Sequence, residues 1–397
     1  MNASDRCSEA GRPAQLPITA LLALALAGFV TILTEALPAG LLLQIGAGLM
    51  VSESLAGQLV TIYAIGSLVA AIPLMAATQG VRRRPLLLAA IAGFAIANTL
   101  TTLSTSFTLT MVARLLAGVS AGLLWALLAG YAARMVPEHQ KGRAIAIAMV
   151  GTPLALSLGV PAGTFLGNLV GWRMCFGIMS LLALILMVWV RFKVPDFSGQ
   201  TMGKRLSLKY VFTLPGIRPV LFVVLAFVLA HNILYTYIAP FLAAAGMGER
   251  TDLVLLVFGV TSLLGIWIIG VLIDRHLRAL TLVSTALFGF AALVLGVMGN
   301  EPVAVYAAIG AWGLAFGGAA TLFQTAIAQT AGDAADIAQS MLVTAWNMAI
   351  AGGGIIGGLL LDRLGVGAFS PALLLLLLAT LVVVWSARHR GFPAMGR

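Results

Sequence analysis

Charge is what this chain has least of, and negative charge least of all. Its 397 residues include 13 Asp and Glu against 23 Lys and Arg, so 9% of the chain is charged, where a soluble globular domain carries about 25%. With 61% hydrophobic residues and a mean hydropathy of +1.06, a water-soluble globular protein is excluded. Cysteine is equally sparse. Cys7 lies in the polar N-terminal stretch and Cys175 near a helix start, so no disulfide framework is suggested. No Gly-rich loop with Lys and Ser/Thr is present, which argues against a built-in ATPase motor. No Cys/His cluster has metal-ligand spacing. Neither enzyme chemistry nor any metal or other cofactor is expected. The net charge of +10 does not imply nucleic acid, because the basic residues sit in short loops between apolar runs.

Those runs are what the chain has in abundance. Many reach 18 or more residues, long enough to cross about 30 Å of hydrocarbon. An open sheet could not satisfy its backbone in lipid, so the runs are expected to be helices. Six fall near 17–44, 54–78, 85–104, 108–133, 143–168 and 173–192, and six near 217–245, 252–273, 279–299, 302–327, 335–360 and 367–387. Between the sixes lies one long polar connector carrying Lys193, Lys204, Arg205 and Lys209. The expected fold is an all-α integral membrane protein of twelve transmembrane helices in two pseudo-symmetric halves around a central cavity. Its parts are a tail (1–16), an N-terminal half (17–192), a linker (193–216), a C-terminal half (217–387) and a second tail (388–397). The first run is too long for a signal segment, so no cleavage is expected.

Basic residues orient the chain. With the N-terminus in the cytoplasm, Arg173, Arg250 and Arg363 fall outside and Arg114 inside a span, while every other Lys and Arg falls on the cytoplasmic side. Both termini are therefore expected in the cytoplasm. The halves also echo each other. Thr34-Glu35-Ala36-Leu37-Pro38 parallels Thr236-Tyr237-Ile238-Ala239-Pro240, and the basic turn from Gln79 to Arg84 parallels Asp274 to Arg278. Gly159, Gly163 and Gly167 in span 5 match Gly353, Gly354, Gly357 and Gly358 in span 11. Duplicated halves in transporters place the substrate at their interface near the midplane.

Over residues 17–387 the sequence resembles the major facilitator superfamily, and within it the twelve-span drug:proton antiporters, especially the bacterial sugar, purine-nucleoside and drug exporters. The resemblance rests on Thr34-Glu35 through Pro38, Val51-Ser52, Ala56-Gly57-Gln58, Tyr63 and Gly66 in the first two spans. It continues with Arg114-Leu-Leu-Ala-Gly118, Gly122 and Trp125 in span 4, then Gly151, Gly159-Val160-Pro161-Ala162-Gly163-Thr164 and Gly171-Trp172-Arg173 from span 5 onward. Two departures stand out. Met75 and Gln79 occupy the positions where the family usually carries Gly and Asp, although Arg83 and Arg84 are kept; the second half keeps the pattern as Gly270, Asp274, Arg275 and Arg278. Val160 is an extra residue between Gly159 and Pro161. The resemblance implies a conformational role for Arg83, Arg84, Gly159, Pro161, Gly163, Gly270, Asp274, Arg275 and Arg278.

Glu35 is the first candidate for chemistry, because a carboxylate at membrane depth must face water, pair with a cation or carry a proton. Spans 1 and 4 line the cavity in the resembled fold, so Glu35 and Arg114 form a candidate proton-coupling pair, with a permanent salt bridge or a polar clamp as the alternative. His231, Asn232, Tyr235 and Tyr237 in span 7, Gln324 in span 10 and Asn347 in span 11 are candidate substrate contacts; each can equally serve helix packing. Tyr63, Trp125, Trp312 and Trp346 are candidate aromatic walls, or packing residues. Small residues at four-residue spacing with Pro153 and Pro161 suit a helix against which the other half rocks, or a static tight contact. The expected function is export of small organic molecules of the drug, sugar or nucleoside class in exchange for protons by alternating access. The expected setting is the bacterial inner membrane, as a monomer with a small-molecule substrate, protons and lipid as its partners. A nutrient uniporter or proton symporter, or a transport-inactive sensor with the same fold, is the alternative.

Overall fold

The computed structural model describes residues 16–78, 80–137, 140–199, 208–388 and 391–392. Twelve of its helices are long and apolar enough to cross a membrane. They are α1 (Ile18–Gly40), α2 (Glu53–Ala70), α3 (Arg83–Leu103), α4 (Phe107–Arg134), α5 (Arg143–Val170) and α6 (Trp172–Lys193), then α7 (Ile217–Thr236), α8 (Gly248–Ile273), α9 (Arg275–Met298), α10 (Pro302–Ala331), α11 (Ile337–Leu364) and α12 (Val366–Ser386). These correspond to the twelve apolar runs, six in each half. One end of the bundle carries Arg82–Arg84 and the linker and is called here the basic end; the other is the far end.

Three places depart from the expected course. Span 1 breaks at Leu41 and resumes as Leu42–Leu49. Span 7 breaks at Tyr237 (φ −111°, ψ 27°) before a short helix, Ile238–Ala244. The span 7 break precedes Pro240, whereas Pro38 lies inside the first helix of span 1 and the Leu41 amide still donates to the Leu37 carbonyl. Pro38 and Pro240 have no amide to give to the carbonyl four residues earlier, which leaves Thr34 and Thr236 without their helical donors. The third departure is at Asp274 to Arg278, expected as a turn. There α8 and α9 run on, and the chain bends at one residue, His276 (φ −132°, ψ 25°).

Span 5 carries a π turn beside Val160, the residue that the resemblance marks as extra. Residues Ala155–Gly159 are π-helical, closed by the Val160 amide donating to the Ala155 carbonyl. One additional residue accommodated this way keeps the rest of a helix in register. The glycines then face α1 in succession: a Cβ on Gly159 would sit 2.9 Å from the Phe29 ring, and one on Gly163 2.7 Å from Leu37. A Cβ on Gly167 would meet Leu41. The stripe therefore seats α5 on α1 within the N-terminal half. The halves themselves meet along two seams, α2 against α11 and α5 against α8.

Candidate substrate and proton site

Pro38 sets up the polar centre of the N-terminal half. The Thr34 carbonyl that it leaves open accepts from Arg114 Nη1 at 2.6 Å. Arg114 also donates from Nη2 to the Glu35 carbonyl (3.4 Å) and from Nε to the Leu59 carbonyl on α2 (3.3 Å). The guanidinium lies over the Tyr63 ring, 4.8 Å from its centroid. Tyr63 is fully buried and donates to the Thr31 carbonyl at 3.1 Å, while Asn98 Nδ2 of α3 donates to Thr34 Oγ1 at 3.2 Å. Arg114 is thus a clamp joining α4 to α1 and α2 through backbone oxygens. Of the two alternatives to a proton-coupling pair, the clamp is present and the permanent salt bridge to Glu35 is not; among the described residues the one ion pair is Arg82 with Asp196. The Glu35 side chain remains half-buried between fully buried Thr34 and Leu37, within electrostatic reach of Arg114, Tyr63 and Tyr235.

His231 and Tyr235 sit one helical turn apart on α7 and enter an aromatic cluster. The His231 ring stacks on Phe316 of α10 with centroids 3.4 Å apart and 7° between planes. Tyr235, Phe258 and Trp312 complete the enclosure, at 5.1, 5.8 and 5.2 Å from His231. Trp346 joins through Phe316 and Phe323. Trp125 lies apart in the N-terminal half, half-buried against α1 at Gly28.

The remaining candidates are spread. Asn232 is buried, donates back to the Val228 carbonyl (2.8 Å) and packs on Gly353 of α11. Asn347 donates to Val343 (3.0 Å), and Gln324 is exposed with its carbonyl accepting from Gln339. Tyr237 is fully buried at the far end, threaded between glycines: a Cβ on Gly57, Gly357 or Gly358 would meet its ring or hydroxyl. Its hydroxyl donates to the Gly354 carbonyl at 2.7 Å. Gln58 Nε2 shares its two hydrogens among the same carbonyl (3.1 Å), the Tyr237 oxygen (3.3 Å) and the Ser54 carbonyl (3.2 Å). This knot contains every side-chain hydrogen bond between the halves among the described residues. Gln58 entered the sequence reading only as part of the resemblance, and no local signal assigns it a partner 179 residues away.

At the basic end the loop after α2 is tied down by a residue the sequence reading did not single out. Asp196, just past α6, accepts from the Arg84 amide (3.0 Å) and pairs with Arg82 Nε (2.7 Å). Burial pushes its carboxyl up, but the Arg84 amide and the Arg82 and Arg84 guanidiniums outweigh this and hold it below the ordinary 3.8. The Arg83 amide donates to Phe197 O, Tyr131 to Pro195 O (2.6 Å) and Arg134 to Ser198 O (2.9 Å). In the other half Arg278 lies over Trp385 of α12 and donates to its carbonyl at 3.0 Å. Arg275 is exposed and Gly270 has no atom within 4 Å of a Cβ position. Gln79 and the side chains of Met75 and Asp274 lie outside the described residues.

Comparison with known proteins agrees with this architecture. OpdE of Pseudomonas aeruginosa, named a transcription regulatory protein, is 29% identical over 378 residues, 94% of each chain. A probable sugar efflux transporter of Mannheimia succiniciproducens is 27% identical over 87% of each. The partially occluded inward-open structure of the xylose transporter XylE from E. coli superposes with a TM-score of 0.74 over 94% of this chain and 99% of that one, at 13% identity, a likeness of fold. The family model of the Major Facilitator Superfamily matches residues 24–352, and this twelve-span chain belongs to that superfamily of membrane transporters.

Proposed function

We propose that the protein exports a small organic solute of the sugar class in exchange for protons, by alternating access across the bacterial inner membrane. The observation that carries this reading is Glu35. It is a carboxylate inside the bundle, half-buried, without an ion pair, and next to an Arg114 that donates to three carbonyls. Such a group can gain and lose a proton as its surroundings change. The solute sits between Glu35 and the α7 face bearing His231 and Tyr235, with Trp125 as an N-terminal wall. The name of the Mannheimia relative supports a sugar over a drug or nucleoside. The positive residues support a cytoplasmic basic end with both termini there. On that orientation the far-end knot closes the outside, and the cavity loads from the cytoplasm.

A proton entering down about 100 mV supplies about 2.3 kcal/mol, enough for useful concentration of a neutral solute. The test is proton movement in proteoliposomes challenged with monosaccharides and small glycosides, parent beside Glu35→Gln. Sugar-triggered proton release that vanishes in Glu35→Gln is expected. Inward co-movement of sugar and proton would replace the antiporter with a symporter, and sugar movement without protons would replace it with a uniporter.

A second reading, a membrane sensor that binds a solute without carrying it, is favoured by the regulatory name of OpdE. Saturable sugar binding with no flux in either direction would establish it.

A further inference from the structure

Three buried polar atoms without a partner share one aromatic cluster in the C-terminal half. His231 Nδ1, the Tyr235 hydroxyl and Trp312 Nε1 have none, and their rings form a triangle with centroids 5.1, 5.2 and 6.1 Å apart. Phe258 and Phe316 wall the triangle with hydrocarbon, so no neighbour supplies what is missing. A buried hydroxyl left unpaired is unfavourable, and native structures rarely keep one without a use. Across the seam on α1, the half-buried Glu35 carboxylate accepts from no side chain or amide among the described residues. Arg114 directs three of its N–H groups, one each from Nε, Nη1 and Nη2, to the Leu59, Thr34 and Glu35 backbone oxygens, and Tyr63 gives its hydroxyl hydrogen to Thr31. Of the α7 pair, Tyr235 lies within electrostatic reach of Glu35, and α7 packs on α1.

We propose that Tyr235 is a positioning residue for the proton on Glu35: when the Glu35 side chain turns across the seam, the unpaired hydroxyl donates to its carboxylate. The C-terminal half thereby detects whether the proton is bound, because a charged carboxylate draws α7 toward α1 and a neutral one holds it weakly. A hydrogen bond to an ionised group is about twice as strong as one between neutral groups. The groups that face Glu35 are Tyr63 from α2, Arg114 from α4 and Tyr235 from α7. Among the described residues, the other helices packed on α1, namely α3, α5, α6 and α8, bring no charge to it. This inference rests on Glu35 as the proton carrier and adds the residue through which the other half responds.

Infrared titration of the full-length protein in phospholipid bilayers, with no solute present, tests it. The carboxyl C=O band that disappears in Glu35→Gln identifies Glu35. In Tyr235→Phe, which keeps the ring and its stacking, the midpoint of that band moves about one pH unit toward alkaline, tenfold in proton affinity, and the stretch rises in frequency. With 3,5-difluorotyrosine at position 235, a stronger donor, the midpoint moves the opposite way; this second variant decides the matter if Tyr235→Phe does not reconstitute. An unchanged midpoint and frequency in both, with the band still lost in Glu35→Gln, overturns the proposal and leaves the proton reading standing. If no titrating band is lost in Glu35→Gln, the proton reading itself fails and the proposal with it.

Discussion

Arg114 Nη1 lies 2.6 Å from the Thr34 carbonyl oxygen, and that oxygen is the acceptor whose helical donor Pro38 removes. Proline opens α1 at one carbonyl, and a guanidinium from α4 fills the opening. The pairing places Arg114 beside Glu35 without joining it to the carboxylate, so a positive charge is held close to a carboxylate that stays available.

Arg114→Ala should therefore destabilise the protein, and the loss should shrink when Pro38→Ala restores a donor to Thr34. The orphaned buried carbonyl is worth about 1–3 kcal/mol, which sets the size of the coupling in a double-mutant cycle. Thermal unfolding of the four proteins in detergent measures it. Equal losses in both backgrounds would mean that the guanidinium does not serve the Thr34 carbonyl.

Tyr237→Phe should weaken the far-end closure without unfolding the halves. It removes the donor to Gly354 and the acceptor for Gln58 and leaves the ring among its glycines. With spin labels on the exposed residues Ala47 and Leu364, pulsed distance measurements should gain a longer component in the variant. A distribution matching the parent would show that packing alone holds the seam.

The sequence already carried the twelve spans, their division into sixes and the isolation of Glu35, because each depends on local composition and on the cost of charge in lipid. Even the α1 opening was legible in principle, since Pro38 frees Thr34 by chain geometry alone. Which donor would take that carbonyl was not, because Arg114 reaches it across 80 residues. Arg114 and Glu35 belong together in space, yet opposite charges on two spans suggest a salt bridge, and only packing reveals that three carbonyls compete for the guanidinium. Tyr237 and Tyr235 look alike in sequence, two residues apart. The break at Tyr237 sends one into the seam knot and the other into the aromatic cluster.

Gly259→Ala and Gly270→Ala should separate the two roles of glycine in α8. A Cβ on Gly259 would meet the backbone of Ser157, at the π turn of α5 in the opposite half. Backbone cannot swing aside, so the halves must part there. The variant should fold, with a melting temperature near the parent's, and lose transport or solute binding. Gly270→Ala meets nothing within 4 Å and should be neutral or slightly stabilising, as alanine favours helix over glycine by about 1 kcal/mol. Parent-like function in both would remove the α5–α8 crossing from the mechanism.

Asp196 gives the basic end a defined response to acid. Its carboxyl is held below the ordinary 3.8 by the Arg84 amide and by Arg82 and Arg84. A group whose folded value is depressed contributes its full stabilisation above the unfolded value and loses it as the pH falls through the folded one. The contribution should therefore be intact at neutral pH and disappear only below about pH 4. The Arg82 partner is largely exposed, at 72%, and so is screened by solvent and salt; the amide bond that caps α3 should persist in salt. Asp196→Asn keeps the shape but loses the charge. Its melting temperature should lie below the parent's at neutral pH, with the gap closing in acid and narrowing only in part with added salt. A gap that stays constant into acid would mean that the loop after α2 is held by Phe197, Tyr131 and Arg134 contacts and not by the Asp196 charge.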